Sequence, residues 1–277
     1  NVRFRLPDAA ARGRHWRAAG IDPALPGLAG MVLSSGVIRR AARDAGMAAG
    51  LAGRKRTNLA DLRTALRGLR DARLEALAMP VDLAEEPDPL FLDGESQEEF
   101  AAVLSRCRHR EALDGEGVRV LFSGPSGTGK TLAARHIGKA LAKDVYRIDL
   151  SATVNKFIGE TEKALERALS AAEELDVVLL LDEGDALMAR RTDVGHANDP
   201  SANLETNFLL QRIETFRGII VVTSNDAERI DRAFARRMDA VLVFSQPDEV
   251  RREEILRRQL GTGSAVSAAL IEEVACR

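Results

Sequence analysis

Residues able to do chemistry gather at a few short stretches of this 277-residue chain. The first is "GPSGTGKT" at 124–131, set between an apolar run, "VRVLFS", and a helical pattern, "KTLAARHIGKALAK". Gly124, Gly127 and Gly129 let the backbone fold tightly, so that successive N–H groups converge on one anion. Pro125, Ser126 and Thr128 complete the loop, and Leu132 carries the pattern into the helix. That helix points the positive end of its dipole at the same spot. Lys130 supplies a cation on a long stem, and Thr131 a hydroxyl of the kind that ligates Mg²⁺. Strand, loop and helix in this order match G-x-x-x-x-G-K-[ST], a cradle for the phosphates of a nucleoside triphosphate.

The second stretch is "VVLLLDEGDAL" at 177–187, an apolar strand that delivers two acids at its C-terminal tip, where α/β sheets place ligands. Asp182 is expected in the Mg²⁺ coordination sphere through water, and Glu183 as the group that polarises an attacking water. Asp185 is expected to cap the following helix. The third, "GIIVVTSN" at 218–225, ends another buried strand in Asn225, placed to bond a γ-phosphate or the attacking water. The fourth is "IDRAFARRMD", in which Arg236 and Arg237 close a short helix. Two arginines there serve at least to offset the helix dipole.

The elements that must position these groups alternate. From residue 98, short β-branched and Leu-rich runs ("VRVLFS", "VYRIDL", "VVLLLD", "GIIVVTSN", "AVLVF") alternate with helical segments at βαβ spacing. Strands apolar on both faces belong in a parallel sheet covered by helices. The fold class is therefore α/β, a P-loop parallel sheet with flanking helices over 94–245. Residues 1–52 read as short helices, and 53–93 as a charged helical pattern followed by a Pro- and acid-rich break, "PVDLAEEPDPLFLDGE", taken as linker. Composition is that of a soluble globular chain, 45% apolar and 30% charged with a net charge of −2. No overall basic field points to nucleic acid or an acidic membrane, and no apolar run reaches the ~20 residues of a membrane span. Cys107 and Cys276 are too few for a disulfide framework or a zinc site, which leads to the expectation of a reducing, cytoplasmic setting.

Taken together, these stretches resemble the AAA clade of the AAA+ ATPases over about 98–277. "GPSGTGKT" looks like the family's Walker A motif and "LLLDEGDAL" like its Walker B; "TSN" resembles sensor 1, and "ARR" the end of the second region of homology. The resemblance implies ATP and Mg²⁺ as ligands, hydrolysis to ADP and phosphate, and an arginine finger from a neighbouring subunit. The family often separates two finger arginines by a short insert; here Arg236 and Arg237 are adjacent, and Arg237 is favoured. "KFIGETEKAL" at 156–165 resembles the clade's pore loop, implying that Lys156, Phe157, Ile158 and Gly159 face a substrate channel. A hexameric ring that remodels a protein substrate follows from the same resemblance, with a protein substrate or adaptor as partner and no role for membrane or nucleic acid. Other readings are a DNA-directed loader or helicase-type machine, a P-loop kinase, and a slow nucleotide-gated scaffold of a larger assembly.

One further pattern bears on organisation. "FRLPDAAARGRHW" at 4–16 aligns with "FSQPDEVRREEIL" at 244–256, pairing Phe4 with Phe244, Pro7 with Pro247, Asp8 with Asp248 and Arg12 with Arg252. In the family a P-D step introduces the helical lid, so 246–277 is expected to begin a lid, truncated at the chain end. Residues 1–52 are expected to be the lid-like end of a preceding module. "LSSGVIRRAA" resembles a sensor 2 helix, with Arg39 at its arginine position.

Overall fold

Alternation within each strand decides which side of the sheet its residues cover. In "VLLLD" and "IIVVTS", successive residues fall into two different cores, Val178, Leu180, Ile219 and Val221 on one side and Leu179, Leu181, Ile220 and Val222 on the other. The computed structural model describes residues 6–83, 88–112, 117–151, 160–185, 208–226 and 232–260. Helices α1 (Ala9–Ala18), α2 (Ser35–Leu51) and α3 (Leu59–Leu74) lead to strand β1 (Met79–Val81) and helix α4 (Gly94–His109). There follow β2 (Val118–Ser123), α5 (Lys130–Leu141), β3 (Val145–Asp149), α6 (Glu160–Leu175), β4 (Val178–Asp182), β5 (Ile219–Ser224), the short α7 (Arg232–Ala235), β6 (Ala240–Val243) and α8 (Glu249–Leu260). The sheet order is β1-β3-β4-β5-β2-β6, parallel except for β1, which runs antiparallel to β3 at one edge.

Helices α4 and α5 cover one face. Phe100 and Val103 of α4 and Ala133, Ala134 and Ile137 of α5 pack on Val120 and Phe122, and Phe244 meets Phe122 edge-on at 5.0 Å between centroids. The other face carries α6 and, in the same continuous core, the three N-terminal helices: Trp16, Leu33, Ile38, Leu62 and Leu66 join Tyr146, Ile148, Leu179 and Leu181. The N-terminal helices are thus a further layer on the sheet.

Residues 53–93, read from sequence as linker, hold more than that. Asn58 and Asp61 close a reciprocal capping box on α3, and Leu62, Leu66 and Leu74 are buried. β1 extends the sheet, and Leu83, Leu90 and Leu92 lean on the α4–α5 core. Among the described residues of this strap Pro80, Asp82 and Asp88 are exposed, while Leu83, Leu90 and Leu92 face inward.

The repeated segment has one local structure at both ends of the chain. Asp8 accepts from the N–H of Ala11 (2.7 Å) as Asp248 does from Arg251 (2.9 Å). The guanidinium of Arg12 donates to the carbonyl of Pro7 at 2.9 Å, and that of Arg252 to Pro247 at the same distance.

Buried charges fasten the N-terminal helices to the rest. Asp176, at φ +53° and 2% exposed, accepts from Lys143, Arg110 and the N–H of Val32 (2.7 Å). Lys143 also donates to the carbonyl of Gly30 (3.1 Å). Burial works against the charged carboxylate, but Lys143 and Arg110 outweigh it and hold Asp176 below the usual range. Arg12 makes a two-pronged pair with Glu111 (2.6 and 2.9 Å), and Arg70 spans Asp144 (2.7 Å) and the carbonyl of Leu175.

Candidate active site

The loop after β2 bends through three glycines with positive φ, Gly124 at +145°, Gly127 at +81° and Gly129 at +100°. At Gly124 no side chain fits: a Cβ would lie 2.0 Å from the carbonyl oxygen of Phe244. Thr128 closes the turn by donating to the carbonyl of Pro125 at 2.8 Å, while Pro125, Ser126 and Gly127 remain exposed. Helix α5 then starts at Lys130 with Gly129 as its cap and no side-chain cap bond, whereas α1 to α4 are each capped by a side chain. The first N–H groups of α5 are therefore left for an anion. Lys130 is 7% exposed and folds back on the loop, donating to the carbonyls of Gly124 (2.6 Å) and Pro125 (2.7 Å). Burial lowers its pKa, and Asp182 and Asp185 offset part of the shift. Thr131 and Leu132 are half-buried on the first turn of α5.

The tips of β4 and β5 are tied together. Thr223 donates its hydroxyl to Asp182, and Arg147 of β3 pairs with the other carboxylate oxygen at 2.8 Å. Glu183 is exposed and sits at φ +56°, an uncommon conformation for a residue with a Cβ. Its N–H faces the Thr223 hydroxyl at 3.3 Å. Ser224 donates to Asp185 at 2.6 Å, and the backbone N–H of Asn225 reaches both oxygens of Asp185 at 3.1 and 3.2 Å. Asp185 thus holds the strand tip that carries Asn225. Arg147, Thr223 and Ser224 were not singled out from sequence; the "TS" before Asn225 was the only available signal.

Arg236 and Arg237 follow α7, both exposed, and Arg237 pairs with Glu214 at 2.5 Å within the same chain. Lys156, Phe157, Ile158 and Gly159 lie outside the described residues.

Beside the loop opens a cavity of about 470 Å³, lined by Leu90, Phe91, Leu92, Gly129, Leu132 and Phe244 among others. The strap supplies one wall, and Arg258 of α8 stacks over Phe91 at 5.6 Å. The volume and mixed lining suit a nucleoside-sized ligand whose phosphates reach the glycine loop. The donor set also fits Mg²⁺: a threonine hydroxyl and one carboxylate are hard oxygens, and this ion keeps water and phosphate as most of its ligands. Among the described residues there is no cluster of three metal-ligating side chains that would indicate a dedicated protein cage.

Comparison with known proteins agrees with this geometry. Residues 120–246 match the ATPase family associated with various cellular activities (AAA). Proteasome-activating nucleotidase 2 of Halobacterium salinarum is 30% identical over 207 residues, covering 69% of this chain and 50% of the relative. An AAA ATPase forming ring-shaped complexes, from Bifidobacterium animalis subsp. lactis, is 32% identical over 203 residues, 64% of this chain and 39% of that protein. The chain thus spans about half or less of the length of these relatives. The ADP complex of the FIGL-1 AAA domain superposes with a TM-score of 0.58 at 21% identity, covering 76% of this chain and 72% of that one. Sequence motif, strand order and loop geometry converge: residues 120–246 are an AAA-family ATPase domain with the P-loop AAA+ fold.

Proposed function

We propose that the chain is part of an ATP-hydrolysing motor that works as a ring, hexameric by family likeness, and remodels protein substrates. The reading rests on one arrangement, the positive-φ glycine loop leading into an uncapped helix beside the acids at the tip of β4. ATP enters with its base in the strap-walled cavity and its phosphates on the loop amides. Lys130 exchanges the carbonyls of Gly124 and Pro125 for phosphate oxygens. Thr131 and Asp182 would hold Mg²⁺, which when bound would neutralise phosphate charge. Glu183 accepts a proton from the attacking water, and Asn225, steadied through Asp185, orients that water. Because Arg237 is paired with Glu214, the exposed Arg236 is the better placed to reach a neighbouring subunit's nucleotide. Pore-loop residues 156–159 contact the substrate polypeptide.

The likeness of ring-forming relatives supports assembly, and the matching local structure at the two ends of the chain supports the tandem arrangement, with 1–52 as the end of a preceding module, 94–245 as the ATPase unit and 246–277 as the start of its lid. No helix among the described residues is long and apolar enough to cross a membrane; the cytoplasmic setting rests on the two cysteines alone. The test is the Glu183→Gln variant. It is expected to bind ATP, retain it uncleaved and accumulate as rings in electron micrographs, while unfolded protein but not DNA stimulates the wild-type turnover. Undiminished hydrolysis in the variant would remove Glu183 from the reaction, and stimulation by DNA alone would replace the protein substrate by a nucleic acid.

A further inference from the structure

Charge is divided unevenly along this chain. Residues 1–74, ending with α3, carry 15 lysines and arginines against 5 acids, a net of +10; the remaining residues carry −12. The division is sharpest at the boundary. From Glu75 to Ser105 there are nine acidic residues and no lysine or arginine.

The fold sets one exposed basic patch and one exposed acidic patch on opposite sides of the sheet. Helix α2 is packed through Val37, Ile38, Ala41 and Ala45 into the core of one face. Its outer side shows Arg39, Arg43, Met47 and Leu51 at four-residue intervals, hence on one stripe, with Arg40 beside them. Met47 is 63% exposed and Leu51 91%, so two large apolar side chains stand uncovered next to the arginines. The described part of the acidic tract after β1 belongs to the other face, where Leu83, Leu90 and Phe100 enter the α4–α5 core. On α4, Glu95, Glu98 and Glu99 form one exposed stripe. Ser96, between them, lies within hydrogen-bond reach (3.3 Å) of the carbonyl of Val243, which brings this stripe to the end of β6. Val243 (54% exposed) and Val250 (73%) are the uncovered apolar residues at that edge, with Asp248 and Glu249 alongside.

Each patch therefore combines two exposed apolar side chains with charges mainly of one sign, with Asp44 pairing to Arg43 in the first and Arg251 4.0 Å from Asp248 in the second, and the sheet keeps the two patches of one chain apart. We propose that copies of this chain associate head to tail, the α2 face of one docking on the α4–β6 edge of the next. This deepens the ring reading above and rests on it, naming the surfaces that meet. Contact between two different patches of identical chains is heterologous, and closes into a ring when the rotation allows. Opposite potentials steer such an encounter and select its register, and buried apolar contacts hold it. A nucleic acid or an anionic bilayer would meet the α2 face but would be repelled by the net −12 of the rest of the chain.

The experiment compares full chains carrying Glu183→Gln, with ATP and Mg²⁺, by sedimentation at several salt concentrations. One variant adds R39E, R40E and R43E; another adds E95R, E98R and E99R; nucleotide binding, measured by calorimetry, reports that both remain folded. Each is expected to weaken assembly by more than about tenfold, and an equimolar mixture to recover it, since every reversed face then meets its complement. Raising salt should weaken the unsubstituted assembly in the same direction. A ring indifferent to both reversals would overturn this interface and leave the ring standing; a parent chain that stays monomeric with ATP would remove both. Loss without recovery in the mixture would overturn the pairing, as would intact assembly accompanied by lost binding to duplex DNA or phosphatidylserine vesicles in the arginine variant.

Discussion

Asp176→Asn tests whether buried charge fastens the N-terminal helices to the sheet. Asparagine keeps the shape and an acceptor for the N–H of Val32, but it removes the charge. The side chains of Lys143 and Arg110, 9% and 7% exposed, would then face each other in the interior without an anion between them. Breaking a buried pair in this way costs about 3–5 kcal/mol. At about 2–4 °C per kcal/mol for a chain of this size, the midpoint should fall by about 10 °C. The pH dependence adds a second readout. Asp176 is held below the ordinary carboxylate range, so its stabilisation is present above about pH 4 and is lost as pH falls through the depressed pKa. The variant lacks this term and should lose less stability on acidification than the wild type. Burial already lowers the pKa of Lys143, and the loss of Asp176 lowers it further. The variant's deficit should therefore shrink as rising pH neutralises the amine. Thermal denaturation followed by circular dichroism at pH 2, 4, 7 and 9 measures both. A loss below about 1 kcal/mol at pH 7 would mean that the cations reach water unaided and the cluster fastens nothing.

Other outcomes follow from the site. Gly124→Ala forces a Cβ against the Phe244 carbonyl at 2.0 Å and should weaken nucleotide binding by more than about tenfold, about 1.4 kcal/mol, measured by calorimetry; unchanged affinity would mean the loop shifts freely. Arg147→Ala frees one oxygen of Asp182 and should tighten Mg²⁺ binding in the presence of nucleotide, read by titration of the metal. Arg236→Ala should lower turnover more than Arg237→Ala does, whereas Arg237→Ala should lower thermal stability by no more than about 1 kcal/mol, because its pair with Glu214 is half-exposed. Mixing Arg236→Ala with Lys130→Ala chains should restore part of the turnover, and a flat response to the mixing ratio would argue against action across subunits.

How legible each part was in the sequence depended on how local its cause is. The glycine loop, its helix and the strand that feeds it are specified within one continuous stretch, 118–141, and the acids at the tip of β4 by the strand that carries them. The grip of Thr223 and Arg147 on Asp182 is different in kind. It depends on β3, β4 and β5 lying side by side, with Asp149 in register with Asp182 and Leu181 with Val222, and no spacing within one segment encodes that. The strap misled for a related reason. Its prolines and acids read as a break, but Leu90 and Leu92 alternate inward, a signal too short to weigh without the core they enter. Asp176 gave no signal at all, since its partners come from residues 32, 110 and 143.

The inward-folded Lys130 has a bearing on how a ligand arrives. Its ammonium group is already solvated by two carbonyl oxygens of the loop it serves. On the proposed reading, an incoming phosphate would swap places with those oxygens and gain only the difference between two sets of bonds. The same swap would run backwards on departure: the loop would re-form its own bonds as the spent nucleotide left, so no stranded positive charge would have to wait for a replacement. On the proposed reading, a cradle built this way would trade grip for turnover, as a machine that must empty itself every cycle requires.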